Sequence, residues 1–276
     1  MSSNYKRRNI EMKNIFDIRT SENAMKTLCN LTCVPKNIWE RFVGTENEYQ
    51  YIDDLVEYVV NTYGDMPRDY RTWQFVYIHI TTSANCCACF KKYGILDLQE
   101  SYLCEESELR TFLEENNIHI DLDKQLLVHN GQVYDITYGR CPRQGTLEYR
   151  CWAVGRKFYY DFTTCGFLSV WERSPYDGMV HRRPEILMDI DKLLNTKLSQ
   201  DWALTHKAYE IIAQVSGEKI VFDGFEESSE KEKVLRYLST AYNTAFGEPS
   251  EEILLLKNCI QIPPSDIIDI IPVRYW

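Results

Sequence analysis

The chain has 276 residues, 44% hydrophobic and 26% charged, a balance that supports a folded core and excludes global disorder. Its formal charge of −10 excludes a protein that coats nucleic acid without discrimination, although a local basic patch is compatible with it. No stretch is long and apolar enough to span a bilayer, and the polar start MSSNYKRRNIEMKN reads as no signal peptide. A cytoplasmic protein with no membrane partner is therefore expected.

Residues 1–20 read as a loosely docked arm, with Lys6-Arg7-Arg8 a solvated run. Ser21 caps a helix to about Leu31, and Asn37–Val43 reads as a short helix. Residues 47–63 give a clearer one, with Ile52, Leu55, Val56, Val59, Val60 and Tyr63 on one face. Residues 1–70 are thus expected as an N-terminal helical extension, and 71–276 as one α+β domain.

Phe75 to Ile80 alternates as a strand, and Thr81, Thr82 and Ser83 offer oxygens to cap a helix starting near Ala84 and closed by Gly94. Cys86 and Cys89 have C-x-x-C spacing but no partner pair at zinc-finger spacing. The ten cysteines therefore read as reduced, mostly buried thiols, with no metal expected.

Glu105–Asn117 reads as a helix and Ile118–Leu122 as a strand. Leu126–His129 and Gln132–Tyr138 form a hairpin on Asn130-Gly131. Leu147–Val154 and Lys157–Phe162 read as a strand pair around Gly155-Arg156, and residues 163–171 fit either type. After a polar loop, Pro184–Ile190 reads as a strand with Glu185, Leu187 and Asp189 on one face. Lys207–Val215 and Lys219–Phe222 read as a hairpin across Ser216-Gly217. Ser228 or Ser229 caps a helix to about Phe246, and Ile253–Leu256, Cys259–Ile262 and Ile267–Ile271 read as strands.

The order His79-x-Thr81, helix, Gly94-Ile95 resembles the first block of the ADP-ribosyltransferase fold. Tyr176–Leu187, YDGMVHRRPEIL, resembles its glutamate block, and the resemblance runs over roughly residues 73–273. It implies a split mixed or antiparallel sheet that binds NAD as a substrate. His79 and Thr81 would hold the NAD, Glu185 would be the catalytic carboxylate, and Tyr160 or Tyr134 would stack on nicotinamide. Arg182, Arg183 or Arg71 would face the pyrophosphate. The chemistry is a glycosidic displacement through an oxocarbenium-like transition state, which a positioned carboxylate stabilises.

The implied protein is a mono-ADP-ribosyltransferase, an intracellular toxin or phage-defence effector modifying protein, RNA or DNA and restrained by an antitoxin protein. Two alternatives stand beside it. One is a non-catalytic binding protein on the same fold. The other is a metal-independent nuclease-type toxin using His79 or His181 as general base.

Overall fold

Alternating aromatic and β-branched residues after Trp73 form strand β2 (Gln74–Ser83), buried along both faces, from which a seven-stranded sheet extends to either side. The computed structural model describes residues 14–160, 163–170, 176, 179–222, 228–247 and 251–273. The fold is α+β. On one side of β2 lie β7 (Lys207–Ser216) and then β10 (Ile267–Pro272). On the other lie β6 (Cys165–Ser169), β9 (Glu252–Leu256) and β8 (Ile220–Val221). The short β1 (Ile15–Phe16) runs parallel to the start of β2, whereas β6 is antiparallel to both β2 and β9. A separate antiparallel meander comprises β3 (Ile118–Asp121), β4 (Leu126–His129) and β5 (Gln132–Asp135). Asn130 and Gly131, with φ of 49° and 79°, make the expected turn of its second hairpin.

The chain divides into two compact units, with the division falling inside β2 and β7. The first takes residues 1–78, 165–174 and 213–255. Its helices are α1 (Ser21–Thr32), α2 (Lys36–Arg41), α3 (Ile52–Tyr63) and α10 (Glu230–Phe246). Ser229 starts α10 with a capping box: its hydroxyl accepts from the Glu232 N–H, and the Glu232 carboxylate accepts from the Ser229 N–H at 2.6 Å. α10 packs along α1 and α3, so the helices of the first 70 residues share their core with a late helix of the chain. Phe16, Trp73, Phe75 and Tyr237 form an aromatic cluster with ring centroids 4.9–6.3 Å apart.

The second unit takes residues 79–164, 175–212 and 256–276. It holds the meander and helices α4 (Ala88–Tyr93), α5 (Leu98–Leu103), α6 (Glu108–Glu115), α7 (Leu147–Tyr159), α8 (Glu185–Leu194) and α9 (Leu198–Thr205). Leu113, Leu127, Val154, Phe158, Ile190 and Trp202 anchor its core. Among the described residues, no helix is long and apolar enough to cross a membrane.

Four elements differ from the sequence expectations. Residues 147–159, expected as strands around Gly155-Arg156, form the single helix α7, while residues 161–162 lie outside the described residues. Thr146 caps α7 by accepting from the Tyr149 N–H, and Cys151, Val154, Gly155 and Phe158 are buried at helical spacing. Gly155 is a close-approach residue rather than a turn: a Cβ there would run into the Ile136 carbonyl.

Pro184–Ile190, expected as a strand, is the start of helix α8. Its apolar residues fit both periods as far as Ile190. The buried set Ile186, Leu187, Ile190 and Leu193 follows the helical period, and Pro184 suits a helix start. β7 and β8 form no hairpin. Gly217–Lys219 makes a 3-10 turn, the Gly217 N–H donates to the Trp73 carbonyl at 2.8 Å, and β8 pairs with β9 instead. Cys259–Ile262 contributes only an isolated bridge, Ile262 to Ile95.

Candidate functional site

The block after His79 is built as its residue types dictate, with the helix starting four residues later than expected. At the end of β2 the Ser83 hydroxyl accepts from the backbone N–H of Cys87 at 2.8 Å. The Glu108 carboxylate accepts from Ala84 N at 3.1 Å, Asn85 N at 2.9 Å and the Ser83 hydroxyl at 3.1 Å. Those bonds occupy the backbone donors of Ala84, Asn85 and Cys87, and Cys86 and Cys87 take left-handed φ of 59° within the turn. Helix α4 then begins at Ala88 and stops at Gly94, whose φ is 86°. Ile95 exchanges backbone bonds with Ile262 at 2.9 Å in both directions.

His79 and Thr81 share one face of β2 and are both half-buried, whereas Phe75 and Tyr77 on that face are fully buried. The face therefore opens at His79. The His79 ring lies 6.1 Å from that of Phe90. Thr82, on the other face, accepts from the buried Trp202 indole N–H at 2.8 Å, which ties α9 to the strand. Burial pushes the Cys87 and Cys89 thiols up to about 12, so neither is a thiolate at neutral pH, the form a metal or an electrophile would need. Among the described residues, no group of three His, Cys, Asp or Glu is placed to hold a metal.

The other expected residues lie on different elements. Glu185 is the exposed first residue of α8, not of a strand. Its carboxylate is bound by the Lys157 ammonium at 2.6 Å. Arg182 is exposed in the turn before α8, and Arg183 is buried, which lowers its pKa. Tyr160 follows α7, with its ring stacked on Tyr138 at 5.4 Å, and Tyr134 is half-buried on β5 against the core of the second unit. Arg71, in a 3-10 turn before β2, is committed to Asp69 at 2.8 Å. The contacts of Glu185, Tyr134 and Tyr160 belong to α7, α8 and the meander rather than to the strand that carries His79.

Sheet register points to a carboxylate that sequence reading passed over. Ile78 pairs with Phe167, and Phe167 pairs with Ile253, so these three side chains share one face across β2, β6 and β9. Glu252 precedes Ile253 in β9, so alternation turns it to the opposite face of that strand. Glu252 pairs with Ser169 across an irregularity in register at Phe167–Ser169, the kind of bulge that re-aims side chains at sheet rims and sites.

The burial of β9 agrees with this assignment. Leu254 and Leu256 are buried on the Glu252 face, Ile253 is 39% exposed on the other, and Glu252 is half-buried where the strand opens. A Cβ at Gly166 would lie 2.5 Å from the Tyr77 ring and 2.6 Å from the Ile78 carbonyl, so glycine is what lets β6 approach β2 here. The signal in the sequence was Glu251-Glu252 directly ahead of a run of apolar strand formers.

A 590 Å³ cavity in the second unit is bordered by Asn85, Phe112 and His206, but also by Glu106, Glu115 and Asp201. That many carboxylates would repel a pyrophosphate. The chain matches no family model, no curated protein and no solved structure.

Proposed function

We propose that the protein is an NAD-dependent mono-ADP-ribosyltransferase on a split, largely antiparallel sheet, with Glu252 rather than Glu185 as its catalytic carboxylate. The observation that supports this reading is that Glu252, half-buried, opens strand β9, the placement that the resembled fold gives its glutamate, whereas Glu185 opens a helix. In the reaction the bond between ribose C1′ and the nicotinamide nitrogen breaks, and its electron pair leaves with nicotinamide. The Glu252 carboxylate faces the positive charge that develops on the sugar. His79 donates to a ribose hydroxyl, and the Thr81 hydroxyl lies beside it on the same strand face. The acceptor's nucleophile then bonds to C1′ and loses its proton to solvent or to the same carboxylate. A macromolecular acceptor and restraint by an antitoxin protein fit a toxin or defence effector of this kind.

Glu185 fits the role poorly, because it starts a helix rather than a strand. Replacing Glu252 with Gln keeps the side-chain volume and removes the charge. Nicotinamide release should fall by about 100-fold or more with the melting temperature unchanged. Release at the wild-type rate from a folded Glu252→Gln protein would overturn the assignment.

A further inference from the structure

The segment from Tyr138 to Tyr160 carries a feature that the transfer chemistry does not use. Four rings lie in a row: Tyr160 on Tyr138 at 5.4 Å and 21°, Tyr138 on Trp152 at 6.2 Å and 25°, and Trp152 beside Tyr149 at 5.7 Å and 32°. The row is fixed in advance. The Trp152 indole N–H donates to the Gly139 carbonyl at 3.0 Å, which holds the loop before α7 against the helix. Tyr160, at one end, is 63% exposed. The Arg156 guanidinium lies 5.5 Å from the Trp152 ring, and Arg140, Arg143 and Arg156 are all exposed.

Between Gly139 and Lys157 there are five basic residues and one acidic residue, Glu148, in a chain whose net charge is −10. Pre-stacked aromatic rings among arginines are the chemistry that takes bases and phosphates together. A duplex hides its base faces, so the rings would contribute little to binding one. An acidic peptide would use the arginines but has no flat base to lay on the row.

We propose that this face of α7 and its preceding loop binds single-stranded nucleic acid, and that the bound strand is the acceptor. Binding stands on the rings and arginines alone; the acceptor role rests on the transferase reading above. The rings position bases, the arginines neutralise the backbone, and the acidic remainder of the chain discourages binding elsewhere.

The test uses the full chain and labelled oligonucleotides of about 12 nucleotides, single-stranded RNA, single-stranded DNA and duplex, followed by fluorescence anisotropy at about 0.05 M and about 0.3 M salt. Either single strand should bind at least about tenfold tighter than duplex, and the RNA and DNA arms tell which sugar is preferred. The triple variant Arg140→Ala, Arg143→Ala, Arg156→Ala should weaken binding about tenfold or more and flatten its salt dependence. Tyr138→Ala should weaken it about fivefold or more with little change in salt dependence. Tyr138→Leu, which keeps bulk without a π face, serves if the alanine variant does not fold.

Equal affinity for duplex and single strand, or wild-type affinity in the folded variants, would overturn the binding face. With labelled NAD, these variants should lose transfer to the strand yet release nicotinamide normally when no strand is present. A wild-type protein that releases nicotinamide and binds the strand without labelling it would overturn the acceptor role and leave binding intact. Absence of any nicotinamide release would count against the transferase reading instead.

Discussion

A glutamate that opens a strand and one that opens a helix are placed differently, and there Glu252 and Glu185 part company. Lys157 already holds Glu185 at the surface, with the glutamate side chain 47% exposed. The Lys157 side chain is only 15% exposed, so the pair lies between the exposed and buried cases and Glu185→Gln should destabilise by no more than about 3 kcal/mol. It should also leave nicotinamide release within about twofold of wild type. A large loss of release in this variant would return the catalytic role to α8.

Glu108 is the contrasting case, since its carboxylate satisfies the Ser83 hydroxyl and two backbone donors of the turn after β2. Glu108→Ala should cost about 1–3 kcal/mol in urea unfolding and speed amide exchange at Ala84 and Asn85.

His206 sets a pH dependence. Burial lowers its pKa from 6.5, although the Trp202 carbonyl and Glu108 act in the opposite direction. A histidine whose folded pKa is depressed takes up its proton more readily in the unfolded chain. Its contribution is therefore favourable above about pH 6.5 and is lost as the pH falls below that. Between pH 7.5 and about 5.5 the melting temperature should drop, and should drop less in His206→Gln. An equal drop in both proteins would assign the effect to other groups.

At the scale of the element, α7 shows how one close contact outweighs intrinsic propensity. Alanine is favoured over glycine inside a helix by about 1 kcal/mol, so propensity alone makes Gly155→Ala stabilising. The added Cβ would meet the Ile136 carbonyl, a rigid backbone atom that cannot swing aside. Gly155→Ala should therefore destabilise by about 1–3 kcal/mol, the range for overpacking, with a lower urea midpoint as the readout. A stabilised variant would show that α7 and Ile136 separate easily.

The same principle explains two of the sequence misreadings. Gly155-Arg156 looks like a turn because glycine is common in turns, yet this glycine is there to admit a neighbour. Ile186–Ile190 looks like a strand because five residues of an amphipathic helix can also satisfy alternation. Leu193 and the side chain of Asp191 resolve the ambiguity: Asp191 accepts from the N–H groups of Leu198 and Ser199 at 2.6 and 3.0 Å, and so starts the next helix.

At the scale of the whole molecule, residues 14–70 are structurally committed. β1 pairs with β2, and α1 and α3 pack on α10, whose Val234, Leu238 and Ala241 are buried. A fragment of residues 71–276 would expose α10 and the aromatic cluster around Phe75. It should be aggregated or unfolded by circular dichroism and gel filtration. A monomeric fragment with wild-type unfolding would show that the N-terminal helices are dispensable.

What the sequence by itself determined about this protein is local. β2, the turn at Asn130-Gly131 and helices α1, α3 and α10 follow from alternation, positive-φ residues and apolar periodicity within a few neighbours, although Thr20 rather than the expected Ser21 caps α1 and, of Ser228 and Ser229, it is Ser229 that caps α10. Tertiary structure alone decided which strands became partners. β8 leaves β7 for β9, and Glu252 opens a strand that pairs with β6 far away in the chain, because hydrogen-bonded register depends on pairing partners that no window of neighbouring residues contains. The row of rings from Tyr149 to Tyr160 likewise required α7 to be a helix, since only the helical period lays Tyr149, Trp152 and Arg156 along one side.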